Sequence, residues 1–194
     1  MFINWDVTIR FDPNSLEPST KHGIPVPSYG NYGGPNYSAG VEGGTTPEPQ
    51  DLTAATLPKD PLDELFYGHD LVYQHVQDGL VPPEKVLGEI ALADAHLVEG
   101  MSALALAQPN LEPELLLYDA FATLAIAAKI LSTPDELAYL QQNNPTDLVA
   151  VFGAAQAAIS SFETVLTQTP GHEARSLNGA FHVFEAHFGD LLMV

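Results

Sequence analysis

The chain has 194 residues, no cysteine, and 25 acidic against 6 Lys plus Arg side chains, for a formal charge of −19. That balance argues against a nucleic-acid partner and against electrostatic docking on anionic lipid, since both need clustered cations. Without cysteine there is no disulfide, thiolate metal site or thiol nucleophile, while 45% apolar residues suffice for a real core.

Residues 3–11 alternate, with Ile3, Trp5, Val7, Ile9 and Phe11 on one side, which predicts a half-buried strand. No convincing second strand follows, so its partner is either a cryptic strand or another chain. Residues 12–60 are rich in Pro, Gly, Ser, Thr and Asn and read as one long irregular segment. From Pro61 the pattern is helical. Helices are expected over 61–78, stopping at Gly79; 83–107, opened by Pro83; 112–132; 134 to about 142; 145 to about 168; and 173–192. No stretch of 18 or more unbroken apolar residues exists, and the N-terminus lacks a basic segment followed by an apolar run, so neither a membrane span nor a signal peptide is expected. A cytoplasmic location, or export by an unconventional route, is the corresponding expectation.

One region concentrates chemistry. If the first two helices form an antiparallel hairpin turning near residues 80–82, His69 lies opposite Asp94 and Tyr73 opposite Ile90. Tyr73 is one helical turn beyond His69 on the same face. A carboxylate on one imidazole nitrogen fixes the tautomer and leaves the other nitrogen to act as general base. The Tyr73 hydroxyl is placed to hold Asp94. Asp70, rotated by about 100° from His69, is expected to face the glycine-rich run Tyr29, Gly30, Asn31, Tyr32, Gly33, Gly34, Pro35, Asn36, Tyr37. Glycines let such a loop aim its carbonyls at one point, and carbonyls with a carboxylate suit Ca²⁺. The Gly34 amide is a candidate oxyanion donor. The three loop tyrosines favour ordered packing over a flexible linker. Trp5 and those tyrosines are also candidates for contact with a lipid interface.

These residues resemble secreted phospholipase A2. The loop YGNYGGPNY and the helix segment PKDPLDELFYGHDLVY, from Pro58 to Tyr73, follow the family order through Pro58, Asp60, Leu62, Asp63, His69, Asp70 and Tyr73. Leu62 stands one place early. Asn31, Gly33, Leu65, Phe66 and Val72 stand where that family has cysteines. The match is most similar to the disulfide-free branch represented by the phospholipase domain of parvoviral capsid proteins, through Tyr32-Gly33-Gly34-Pro35-Asn36 and Ala93-Asp94. It covers roughly residues 29–100, with a long insertion between loop and helix, and Asn36 stands where the family has glycine. Asn tolerates a left-handed backbone better than most residues.

The resemblance implies a mainly α fold: an antiparallel helix pair behind a calcium loop in residues 1–108, and a helical extension in 109–194. It implies Ca²⁺-dependent hydrolysis of the sn-2 ester of glycerophospholipids at a membrane interface. Calcium would be held by the carbonyls of Tyr32, Gly34 and Asn36 and by the Asp70 carboxylate, with His69 as the base and Asp94 orienting it. Asp119 is the rival for that last role. The alternative function is a catalytically inactive binding module on the same scaffold. Oligomeric state is open, and the C-terminal helices are candidates for a partner-binding platform. The second histidine and acid cluster, His172, Glu173, His182, Glu185 and His187, misses both zinc-protease spacings and reads as a polar helix face. His75 and His96 carry no signal of their own.

Overall fold

The computed structural model describes residues 3–12, 17–18, 24–107, 112–166, 178 and 182. Among them the chain is mainly helical, with two small sheets preceding five α-helices. It divides into two units, 1–86 and 87–194, ahead of the boundary expected at residue 108.

In the first unit the alternating segment forms β1, Ile3–Asp12. It pairs antiparallel with β2, Glu17–Pro18, and with β3, Ile24–Tyr29, in the order β2-β1-β3. The cryptic strand is therefore in the same chain, inside the segment expected to be irregular. Its sequence, IPVPSY, hides it because proline cannot donate to a ladder. Pro25 stands opposite Arg10 and Pro27 opposite Thr8, while Ile24 and Val26 pair with Phe11 and Ile9. Both prolines thus occupy the non-hydrogen-bonded pairs, which only an edge strand allows. The side chain of Trp5 lies outside the described part of this strand. A second hairpin joins β4, Tyr37–Ser38, to β5, Val41–Glu42.

Helix α1, Pro61–Gln77, begins where the sequence says it should. Pro61 takes the first helical position, and the Asp60 side chain caps the free Asp63 N–H. It ends in a glycine-terminated turn. Gly79 has φ +69, the Gly79 N–H bonds Val76 O and the Leu80 N–H bonds His75 O.

The second unit holds all but the first residue of α2, Val86–Ala107, which follows a short 3-10 turn over Pro83–Lys85. It also holds α3, Pro113–Ser132, α4, Pro134–Asn143, and α5, Pro145–Leu166. Its core is built from Leu117, Phe121, Leu124 and Ala128 of α3, Leu140 of α4, and Val151, Ala155 and Phe162 of α5, all buried. Ala and small apolar residues at helical spacing let these helices approach closely. By length and composition alone, Pro83–Ala107 and Leu115–Ser132 are long and apolar enough to cross a membrane, but 67% of the second one's apolar window is buried inside the protein. The expected helix 173–192 and its histidine cluster lie outside the described residues, apart from Asn178 and His182.

The expected pairing of α1 with α2 joins residues of different units and stays an expectation.

Candidate functional site

The glycine-rich loop is ordered by one side chain at the start of α1. Asp63 is fully buried. Its carboxylate accepts the backbone N–H of Asn31 through both oxygens at 3.0 and 2.9 Å, that of Tyr32 at 2.9 Å, and that of Lys59 at 2.8 Å. Burial pushes its pKa above the ordinary carboxylate range, and the three backbone N–H groups pull the other way. Gly30 sits directly against this carboxylate. With φ +57, and with a β-carbon that would run into Asp63, the position admits glycine alone.

The loop then closes on itself. Tyr29 and Gly33 exchange backbone bonds in both directions, at 2.7 and 2.8 Å. A β-carbon at Gly33 would come within 2.7 Å of Tyr29 Cβ and 2.9 Å of Phe66. Tyr29, Tyr32 and Tyr37 are buried. The Tyr29 hydroxyl donates to Asp60, and the Tyr32 hydroxyl to Thr56 O at 2.6 Å. Burial, helped by Tyr67, Asp63 and Asp70, drives the Tyr32 phenol up to about 12, so it stays a donor. The tyrosines therefore pack, as their number suggested, and none is placed to reach a lipid interface. Asn36, where the resembling family has glycine, adopts φ +53. The left-handed backbone needed there is thus accommodated. Its carbonyl accepts the Gly43 N–H at 2.7 Å, and the Gly34 carbonyl accepts the Tyr37 N–H at 3.3 Å.

On the middle of α1, His69 and Asp70 keep 14% and 21% of their side-chain exposure. His69 Nδ1 lies 3.4 Å from Asp70 Oδ1, a long contact for a hydrogen bond. A helical offset of about 100° directs Asp70 away from His69, yet the tips of these adjacent side chains converge. The Tyr73 ring packs on the His69 ring, with centroids 4.6 Å apart and 33° between the planes. The Ser38 hydroxyl, in the second half of the loop segment, lies 2.8 Å from that of Thr46. Burial pushes the Asp70 pKa up, opposed by His69 and Ser38. Its Oδ2 is buried and has no hydrogen-bond partner.

One observation bears on a calcium ion here: the buried Asp70 Oδ2 has no hydrogen-bond partner. Among the described residues no three His, Asp or Glu side chains form a metal-binding group. A cation here would therefore rest on carbonyls beside one carboxylate, the hard-oxygen set that calcium prefers. The orphaned Asp70 oxygen is the sort of buried acceptor that asks for a cation.

Asp94 belongs to the second unit, where it is fully buried. There it bonds Lys129 Nζ at 2.5 Å, and Lys129 also bonds Glu136 at 2.6 Å. Burial works against the Lys129 ammonium, but the two carboxylates outweigh it and raise its pKa. The sequence reading missed this cluster. Its signal was a single lysine inside the apolar run LAIAAKIL, which needs a buried counter-charge. Asp119, the rival, is 4% exposed, and its Oδ1 has no partner. Burial alone pushes it up to about 7. Asp63 stood in the family pattern without a role, and Ser38 carried no signal.

The chain matches no protein-family model, and no curated protein or solved structure is significantly similar to it.

Proposed function

We propose that the chain hydrolyses the sn-2 acyl ester of glycerophospholipids in a Ca²⁺-dependent reaction, releasing fatty acid and lysophospholipid. The observation that carries this reading is the use of one helix for two tasks. The start of α1 holds the glycine-rich loop through Asp63, and its middle presents His69 beside Asp70 with one Asp70 oxygen unsatisfied.

Calcium, when bound, supplies positive charge beside the ester carbonyl; the carbonyls of Tyr32, Gly34 and Asn36 and the Asp70 carboxylate would hold it. His69 takes a proton from water as that water attacks the carbonyl carbon, and returns it to the departing sn-2 oxygen as the acyl C–O bond breaks. The Gly34 N–H donates to the oxygen that becomes negative. Tyr73, stacked on the imidazole, restricts its rotation. The second imidazole nitrogen needs a carboxylate, for which Asp94 is the proposed group and Asp119 the rival.

The test is hydrolysis of phosphatidylcholine vesicles with calcium and with chelator, following fatty acid release. His69→Ala and Asp70→Ala are each expected to remove activity, and Asp70→Ala to remove calcium binding. Wild-type activity that survives chelation, or that survives either substitution, overturns the reading. Asp94→Asn against Asp119→Asn decides which carboxylate serves His69.

A catalytically silent binding module is favoured by one observation. Two of the three carbonyls assigned to calcium, those of Gly34 and Asn36, already accept loop N–H groups. Calcium binding without any fatty acid release selects that reading.

A further inference from the structure

We propose that residues 44–48 form a strap across α1, latched by Glu48 and His75, whose opening admits calcium to the Asp70 carboxylate; this rests on the reading of Asp70 as a calcium ligand. Three contacts lay the strap on the helix. The Thr46 N–H donates to Gln74 Oε1 at 3.3 Å, the Tyr67 hydroxyl donates to Pro47 O at 3.0 Å, and His75 Nε2 lies 2.8 Å from Glu48 Oε1. An ionised carboxylate only accepts, so the imidazole carries a proton on that nitrogen.

The spacing of the helix partners decides what the strap covers. Tyr67, Asp70 and Gln74 stand at i, i+3 and i+7 and so share one stripe of α1. The strap holds the two outer members of that stripe and therefore crosses the helix at Asp70. Asp70 retains part of its exposure, but its Oδ2 is buried and has no hydrogen-bond partner. A buried acceptor in this state has lost its water without compensation. Lifting the strap returns water or a cation to it, so the closed state carries a cost that calcium binding to the open state relieves.

The strap is built to move as one piece. Two glycines form its root: Gly43 has φ +68, and a β-carbon at Gly44 would come within 2.1 Å of Ser38 O. Pro47 and Pro49 flank Glu48 and stiffen the far end. Its seat on the helix is firm. Tyr67 is buried, and its ring meets that of Tyr32 edge-on with centroids 4.9 Å apart, so the seat is shared with the glycine-rich loop. The latch is the weak point. Glu48 and His75 keep 39% and 33% of their side-chain exposure, and a pair this exposed holds only loosely.

The experiment follows hydrogen exchange at the Thr46 N–H in the calcium-free full chain, together with calorimetric titration of Ca²⁺. Glu48→Ala and His75→Ala are each expected to speed Thr46 exchange by about two- to fivefold, the worth of an exposed pair. The double variant should be no faster than either single one, because both remove the same contact. The Asn31 and Tyr32 N–H groups, held by Asp63, should keep their wild-type rates. Calcium affinity rises by the same factor, since binding draws on the open fraction. Thr46 exchange that is unchanged in both variants, or accelerations that multiply in the double variant, overturns the latch. Faster exchange with unchanged calcium affinity overturns the gating while leaving Asp70 as a ligand. Absence of binding heat from wild type and both variants removes the parent reading, and the gating with it.

Discussion

Both oxygens of Asp63 meet the same backbone N–H, that of Asn31, at 3.0 and 2.9 Å, across 32 positions of sequence. With the Tyr32 and Lys59 N–H groups also bound, this carboxylate organises the loop that the functional reading depends on.

Asp63→Ala should therefore be among the more damaging substitutions in the first unit. It strands three backbone donors, each costing about 1–3 kcal/mol when left unpaired and buried. Urea unfolding should show a loss of about 3 kcal/mol or more. Gly30→Ala should destabilise as well, because the added methyl meets the same carboxylate in a left-handed backbone. Near-wild-type stability for both variants would mean that the loop does not depend on Asp63.

Lys129→Met should destabilise by about 3–5 kcal/mol, since it leaves Asp94 and Glu136 buried without their shared cation. The sign with pH can be stated. The Lys129 pKa is raised above its ordinary 10.5. Its contribution is therefore complete below that value and lost only as pH rises through the higher folded value. In the variant the carboxylates neutralise by taking protons, so the deficit should shrink on acidification. Urea melts at pH 5 and pH 8 compare the two; a deficit that grows toward pH 5 contradicts the account.

Asp119 carries the same sign of pH dependence in a lower window. Its pKa rises from 3.8 to about 7 on folding, so between those values the folded chain holds a proton that the unfolded chain has released. Stability attributable to this group is present below pH 3.8 and declines as pH rises toward 7, at about 1.4 kcal/mol per pH unit at most. Asp119→Asn removes that slope and should stabilise the protein at pH 8. Stability profiles of wild type and variant that stay parallel from pH 4 to pH 8 would show that Asp119 stays ionised.

The charge balance bears on substrate presentation. With 25 acidic against 6 basic residues, hydrolysis should not accelerate steeply as anionic lipid is added to phosphatidylcholine vesicles. A sharp rise in rate with vesicle charge would require a basic surface that the composition does not supply.

The helices were legible because prolines announce them. Pro61, Pro113, Pro134 and Pro145 each take a first helical position, and Gly79 closes α1. Strand β3 was illegible for the same residue type: two prolines in six residues erase the alternation that marks a strand. The loop and the His69-Asp70-Tyr73 spacing could be read as a pattern, and their local order is a matter of i to i+4 geometry. What holds them could not. The Asp63 bonds to Asn31 and Tyr32, the Ser38 to Thr46 contact and the Lys129 cluster all depend on backbone groups or distant side chains with no periodic trace.

The prolines of β3 also decide what that edge can do next. A strand edge recruits further chains by offering a row of free donors, and here the outward positions are occupied by residues with none. The three-stranded sheet therefore has a blunt rim on the β3 side. Should the chain assemble with copies of itself, or misassemble at high concentration, strand-to-strand extension across β3 is the route that its covalent structure has closed.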